Sequence, residues 1–570
     1  MPTLTRLTRP TALALMGLLA LTACTASAPD RPSSGAVKTS GPDAALTVID
    51  APDDRDASVA TSRELFDSSP VVVIAPTGDA NAQELAARTA IGLGVPLLVG
   101  DTGKPTSTST TTAAPEEESS SPAATEDSAA SGLDAELERL GTTTALVIGN
   151  VEPVHDDEIT VEQVPAKAAD ISEATGLKLA KPATDDPAGF ATIIAAHEAP
   201  KPDQSGDSHA STGPSTSIPH PKRAAPLEDT VALAVDGAAQ LASIATARAA
   251  GIPVHLLPAE SPNPQAQASV IEALHASKTT KTLAIGAEFA GQPALDWKIR
   301  TARSGTQLPG GGQVLFPQHQ FVALYGTPST GVLGVLGEQG AEASVQRARD
   351  LAAPYEALTD KTVVPMFEII ATVAAAGAGA DGNYSNELPV DSLRPFVDAA
   401  AAAGLYVVLD LQPGRTDFLT QAKMYQPLLE LPNVGLALDP EWRLGPDQVP
   451  LRQIGSVSAA EINTVTSWLA DLTNEKSLPQ KMLVLHQFRT AMISDRASLD
   501  RSRPEVAVLI HADGQGGQSD KQATWANLHR DAPTDVYWGW KNFYDEDLPM
   551  LTPEQTMTAV SPAPDLVTYQ

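Results

Sequence analysis

Apolar runs of five to eight residues recur through the last third of the chain, and several end in an acid, an amide or a histidine. FVALYG (Phe321–Gly326), VVPMFEII (Val363–Ile370), LYVVLDLQ (Leu405–Gln412), VGLALDPE (Val434–Glu441), MLVLHQF (Met482–Phe488), VAVLIHAD (Val506–Asp513) and VYWGW (Val536–Trp540) read as strands. Alanine-rich or amphipathic stretches of helix length separate most of them, which predicts a parallel sheet with helical crossovers. Seven such strands within about 220 residues fit a (β/α)8-type barrel, ordinarily about 250 residues long.

An earlier strand–helix order occurs twice. PVVVIAP (Pro70–Pro76), a helix over Thr77–Gly94, VPLLVGD (Val95–Asp101) and a helix and strand within Leu133–Asn150 form the first copy. Thr230–Glu260 and Val270–Glu288 repeat that order, and Gly251-Ile252-Pro253 answers Gly94-Val95-Pro96. The expected fold class is therefore α/β, with two Rossmann-like repeat modules ahead of the barrel. Polar, Pro-rich segments set the expected boundaries. These are a signal segment at 1–23, a disordered tether at 24–60, a first module at 61–199 with a disordered insertion at 102–131, and a polar linker at 200–226. A second module at 227–303, a linker at 304–313 and the barrel at 314–570 complete the order. Residues 151–199 suggest no more than one or two helices for the first module.

Strand, Ala-rich helix, G-[VI]-P with a strand, then helix, Thr-rich turn and [VL]-x-I-G resemble the cell wall-binding repeat 2 family, over roughly Pro70–Asn150 and Thr230–Gly291. The resemblance implies small α/β modules that attach surface proteins to anionic wall polymers. A packed stalk that holds the barrel clear of the membrane is the alternative role.

Composition narrows the partners. A formal charge of −31 opposes phosphate backbones, so nucleic acid is not an expected partner. The only cysteine is Cys24, which rules out an intrachain disulfide or a CxxC metal site. Arg6 and Arg9 precede an apolar run, Thr11–Ala23, too short to span a bilayer. Leu21-Thr22-Ala23-Cys24 ends that run and resembles a bacterial lipobox, which implies cleavage before Cys24 and acylation of its thiol by a palmitate-type chain. Ordinary signal cleavage at Ala26 or Ala28 stays open. The Ala/Thr/Pro-rich composition resembles that of actinobacterial surface lipoproteins. The expected location is the outer face of the cytoplasmic membrane, within the cell envelope.

Strand parity places the candidate chemistry. Asp410 and Gln412 share one face of their strand, Asp439 and Glu441 one face of the next; Glu368 shares its parity with Met366, and His511 with Asp513. In a barrel these groups converge at the C-terminal strand ends. Two carboxyl groups flanking a glycosidic bond suffice for sugar hydrolysis, one as acid and one as nucleophile or base. Glu441 is the expected acid, with Asp439 or Asp410 as partner and Glu368 as the other candidate. Tyr325, Trp442, Trp538 and Trp540 would stack on sugar, with Gln412, His486, His511 and Asp513 as further contacts. Acids at strand ends and a Trp-containing seventh strand resemble glycoside-hydrolase barrels, which implies action on envelope polysaccharide. Asp439 and Glu441 would otherwise cap a loop or pair with Arg443. No cofactor and no dedicated metal site is expected. Two alternatives stay open: a metal-dependent hydrolase holding a divalent ion on Glu368, Asp410, Asp439, His486 and His511, or an inactive barrel that binds glycan or protein.

Overall fold

Alternation along each C-terminal strand sorts its side chains between two cores, and the sheet closes. The computed structural model describes residues 35–103, 130–179, 184, 186–198 and 218–570. The signal-like segment with Cys24, most of the Thr/Ser-rich insertion and residues 200–217 lie outside these.

Eight parallel strands form the barrel: β1 (His319–Gly326), β2 (Thr362–Ala374), β3 (Tyr406–Leu411), β4 (Val434–Leu438), β5 (Lys481–His486), β6 (Val506–Ala512), β7 (Tyr537–Asn542) and β8 (Leu566–Tyr569). Each pairs with the next in chain order, and β8 closes on β1 through Phe321 opposite Leu566. Sequence pattern revealed seven of these; β8, LVTY, is a four-residue strand just beyond a Pro-rich turn. Inward residues such as Ala323, Met366, Tyr406, Val408, Ala437, Val484 and Leu509 fill the barrel. Outward Val407, Leu409, Leu411, Leu436, Leu438, Leu483 and Leu485 meet the helices Val390–Ala403, Phe418–Met424 and Ala459–Glu475. Between β5 and β6 the crossover uses 3-10 turns and the two-residue strand Ile493–Ser494 instead of an α-helix. The 304–313 linker folds back on the barrel. Leu308 joins Leu315 and Phe316 in the core at the strands' N-terminal end, and Phe316 stacks on Tyr537 at 4.1 Å.

Ahead of the barrel stand two four-stranded parallel sheets. One has the order Leu97–Gly100, Val71–Pro76, Thr144–Ile148, Thr160–Val164; the other Leu46–Ile49, Lys281–Ile285, Thr230–Val235, Val254–Leu257. Gly94 and Gly251 lie at φ +74° and +82°, two residues before Pro96 and Pro253 lead into the strands Leu97–Gly100 and Val254–Leu257, a left-handed conformation that suits glycine. One edge strand falls where sequence suggested only a tether. Leu46–Ile49 pairs with Lys281–Ile285, and Asp53 caps the helix Asp54–Leu65 behind it. Four apolar residues in a Ser/Pro/Asp-rich stretch carry too little periodicity to announce a strand. Thr160–Val164 similarly supplies a strand where helices were expected. The two sheets also share one apolar core, in which Val73, Leu97 and Ile91 lie with Ala232, Leu241 and Ile244. Among the described residues no helix is long and apolar enough to cross a membrane.

Candidate active site

The inward parity that fills the barrel with apolar groups ends, on every strand, in a polar or aromatic-polar one. Tyr325 ends β1, Glu368 lies on β2, Asp410 on β3, His486 on β5, His511 on β6, Lys541 on β7 and Thr568 on β8. Asp439 follows β4 directly, Glu441 sits in the 3-10 turn Pro440–Trp442, and Asp513 follows β6.

Two layers result. In the lower one Glu368, Asp410, His486 and His511 are wholly buried. His486 Nε2 lies 2.8 Å from Glu368 Oε1 and 3.8 Å from Asp410 Oδ1, and its Nδ1 lies 3.1 Å from Asp513 Oδ2. Tyr325 donates its hydroxyl to Asp410 Oδ2 at 2.9 Å, and Thr568 donates to Glu368 Oε2 at 3.0 Å. His511 makes no hydrogen bond through either ring nitrogen. Glu368, His486 and His511 each bring one ligand atom within 4.8 Å of the others, so this layer holds the residues able to grip a metal.

Above it opens a cavity of about 560 Å³ lined by Tyr325, Gln412, Asp439, Glu441, Trp442, Phe488, Arg489, Asp513 and Lys541. A second depression of about 780 Å³ runs over Arg452 and Ile454 and shares Glu441, Trp442 and Arg489 with the first. Glu441 thus stands at the junction of a longer groove.

Charge is distributed unevenly. Burial, reinforced by repulsion from Asp513, pushes the Glu441 carboxyl up to about 7. Burial also drives Asp439 well above the carboxylate range, with Glu441 and Asp410 adding to it. Asp410 rises to about 6, burial outweighing the pull of His486. Glu368 goes the other way: burial would raise it, but the charge and hydrogen bond of His486 hold it down at about 2. Burial likewise opposes ionisation of Asp513, yet the hydrogen bond and charge of His486 keep it below its ordinary value. Burial disfavours the His486 cation, but Glu368 and Asp410 prevail and raise it well above the usual imidazole value. Burial depresses His511 to about 3, so it is neutral. Lys541 lies 3.4 Å from the centre of the Tyr325 ring.

The structure brings together Glu368, Asp410, Asp439, Glu441, His486, His511, Asp513, Tyr325, Gln412 and Trp442, but in unequal roles. Glu368 and Asp410 sit beneath the cavity wall rather than on it, so neither flanks a bond held in the cavity. His486 and His511 belong to the same lower layer and do not line the cavity. Trp538 and Trp540 do not reach it at all. They alternate with the inward Gly539 and Lys541, and pack outside the barrel against Trp525, with Trp538 stacked on His529 at 3.6 Å. Arg443 pairs with Glu461 at 2.9 Å, which leaves Asp439 and Glu441 without that partner. The Asp439 side chain makes no capping hydrogen bond. Sequence reasoning missed Lys541, Thr568 and Arg489. The alternation Gly539/Lys541 carried the signal for the first, and the overlooked strand β8 hid the second.

No protein-family model matches the chain, and no curated protein matches it. Among solved structures the chain is similar to Cwp6 from Clostridium difficile, at 10% identity over 79% of this chain and 63% of that one, with a TM-score of 0.28. It is also similar to Cwp8 from Clostridium difficile, at 14% identity over 76% and 52% of the two chains, with a TM-score of 0.18. The chain spans less than two thirds of the length of either, and a likeness this faint assigns it neither a fold nor a family.

Proposed function

We propose that the barrel hydrolyses a polysaccharide of the cell envelope, with Glu441 as general acid and Asp513 as the carboxylate that acts as nucleophile or base. The observation that carries this reading is the groove itself. Its two depressions meet at Glu441 and Trp442, so a polymer lying across both would pass its linkage over a half-buried acid beside an indole. Glycosidases need one carboxyl group protonated and one ionised. Glu441, raised to about 7, suits the first task, and Asp513, held ionised beside His486 and Lys541, suits the second. Asp513 replaces Asp439 and Asp410 as partner because Asp439 is held neutral and Asp410 lies below the floor.

The same reading makes the two α/β sheets Rossmann-like, cell wall-binding-repeat-like modules that engage wall polymer. Cys24 then acts as the lipid anchor at the outer face of the membrane. Hydrolysis of purified wall glycan tests the proposal. Glu441→Gln keeps the shape of the acid but cannot deliver its proton, and turnover is expected to fall about 10²–10⁴-fold with the fold unchanged. Undiminished turnover in that variant removes Glu441 from the chemistry. Saturable glycan binding with no turnover in the wild-type protein would make the barrel a binding module.

A further inference from the structure

We infer that Glu368, His486 and His511, with Asp410 beside them, form a binding site for one divalent cation of the zinc class, beneath the floor of the cavity. This goes beyond the acid–base reading of the groove and does not depend on it.

Three strands bring ligand atoms of Glu368, His486 and His511 within 4.8 Å of one another, and Asp410 stands beside them on a fourth. Glu368 Oε1 lies 2.8 Å from His486 Nε2 and 3.8 Å from His511 Nδ1, while Asp410 Oδ1 lies 3.8 Å from His486 Nε2. Around a tetrahedral ion with ligand bonds of about 2.1 Å, neighbouring ligand atoms stand about 3.4 Å apart, a spacing these distances bracket. Two imidazoles and a carboxylate are a donor set that zinc and its first-row neighbours accept, with a fourth position open to Asp410 or a water. Because each ligand comes from a different strand, no local HxH or HExxH spacing marks the site in the sequence.

A second, independent observation points to a ligand. Both nitrogens of His511 and the Oδ1 atom of Asp410 are buried without a hydrogen-bond partner. Buried polar atoms are rarely left so, and the exceptions call for an explanation. A cation that takes the lone pair of His511 Nδ1 and attracts Asp410 Oδ1 supplies one for those two atoms, and it replaces the proton that His486 Nε2 shares with Glu368.

Except for His511 Nε2, the atoms facing away from that cation are secured in the manner of metal ligands. Asp410 Oδ2 accepts from the Tyr325 hydroxyl, Glu368 Oε2 from Thr568, and His486 Nδ1 donates to Asp513. The last contact makes a carboxylate–histidine–metal relay that ends on the cavity wall, so the ion would fix the orientation of Asp513. Glu368 and the neighbouring Asp410 offset the charge of a divalent ion, and Asp513 offsets that of Lys541.

The test uses the full chain, purified without a histidine tag, stripped with a chelator and titrated with Zn²⁺ against a chromophoric competitor. About one equivalent is expected to bind, to survive gel filtration and to raise the melting temperature. Cobalt(II) in its place should give the visible bands of a four-coordinate nitrogen/oxygen site. His486→Gln and His511→Gln should each lower retained zinc more than tenfold, Asp513→Asn should weaken it about 10–100-fold, and Glu441→Gln should leave it unchanged. Folded wild-type protein that retains neither zinc, manganese nor iron overturns the inference. So does zinc that the two histidine variants bind as well as the wild type does. Should those variants fail to fold, the wild-type stoichiometry and cobalt spectrum still decide. The two proposals fail separately: metal content reads the lower layer, and loss of turnover in Glu441→Gln with metal retained reads the groove.

Discussion

Glu441 keeps a proton near neutrality for two reasons that can be separated by mutation. Burial removes water from its carboxylate form, and Asp513 repels whatever charge remains. A general acid must be protonated to act, so hydrolysis should decline as pH rises through about 7, the value to which Glu441 is raised. The same shift has a sign for stability. An unfolded glutamate ionises near its ordinary value of 4.5, whereas the folded one holds its proton to about 7. Between those values the folded state binds more protons, so stability falls as pH rises through that window and stays lower above it. Glu441→Gln removes the penalty. Its melting temperature should therefore exceed that of the wild type at pH 8 and approach it at pH 4, measured by calorimetry across the range. A variant whose advantage does not grow with pH would show that Glu441 is not held protonated in the folded state.

The strands show why some of the site was legible and some was not. In LYVVLDLQ and VGLALDPE the leucines take one parity and the acids the other, so the sequence alone marks Asp410 and Asp439 as inward. The seventh strand misleads. In VYWGWKN the two tryptophans attract attention, yet they hold the outward parity against Trp525, and the inward pair is Gly539 and Lys541. Large aromatics report burial without saying on which side of a sheet they are buried. Glycine at position 539 has a stated reason. A Cβ there would lie 2.5 Å from His511 Cδ2 and 3.0 Å from Leu509 Cδ2, inside contact distance of two buried side chains on β6. Gly539→Ala should consequently destabilise the barrel by about 1–3 kcal/mol. It should also displace His511. Urea unfolding measures the first effect, and the His511 ring resonances in NMR report the second. An alanine variant of wild-type stability would mean that β6 and β7 have more room than this packing allows.

At the scale of the molecule, the segment 46–65 changes how the N-terminal half must be understood. Its strand, Leu46–Ile49, completes one sheet, while its helix, Asp54–Leu65, packs on the other. There Ser58 Oγ accepts from Val99 N at 3.0 Å, and Asp54 accepts from Thr77 and Gln83 at 2.8 Å each. Thr246, on the helix Leu241–Ala249 between the two sheets, in turn holds the backbone of Leu97 in the first. Two repeats that look independent in sequence therefore share a core and a clasp. Composition could not reveal this, because the clasp lies in a stretch whose Ser, Pro and Asp content reads as linker. The consequence is cooperative unfolding. Removing 46–65 exposes the edge of Lys281–Ile285 and takes Ala57 and Leu65 out of the shared core, so both sheets lose partners at once. A chain of residues 66–303 should melt at lower temperature and more broadly than one of residues 35–303, with amide exchange accelerated in both sheets alike. Acceleration confined to Lys281–Ile285 and its neighbours would show two units that unfold separately, and the shared core would then count for little in holding the half together.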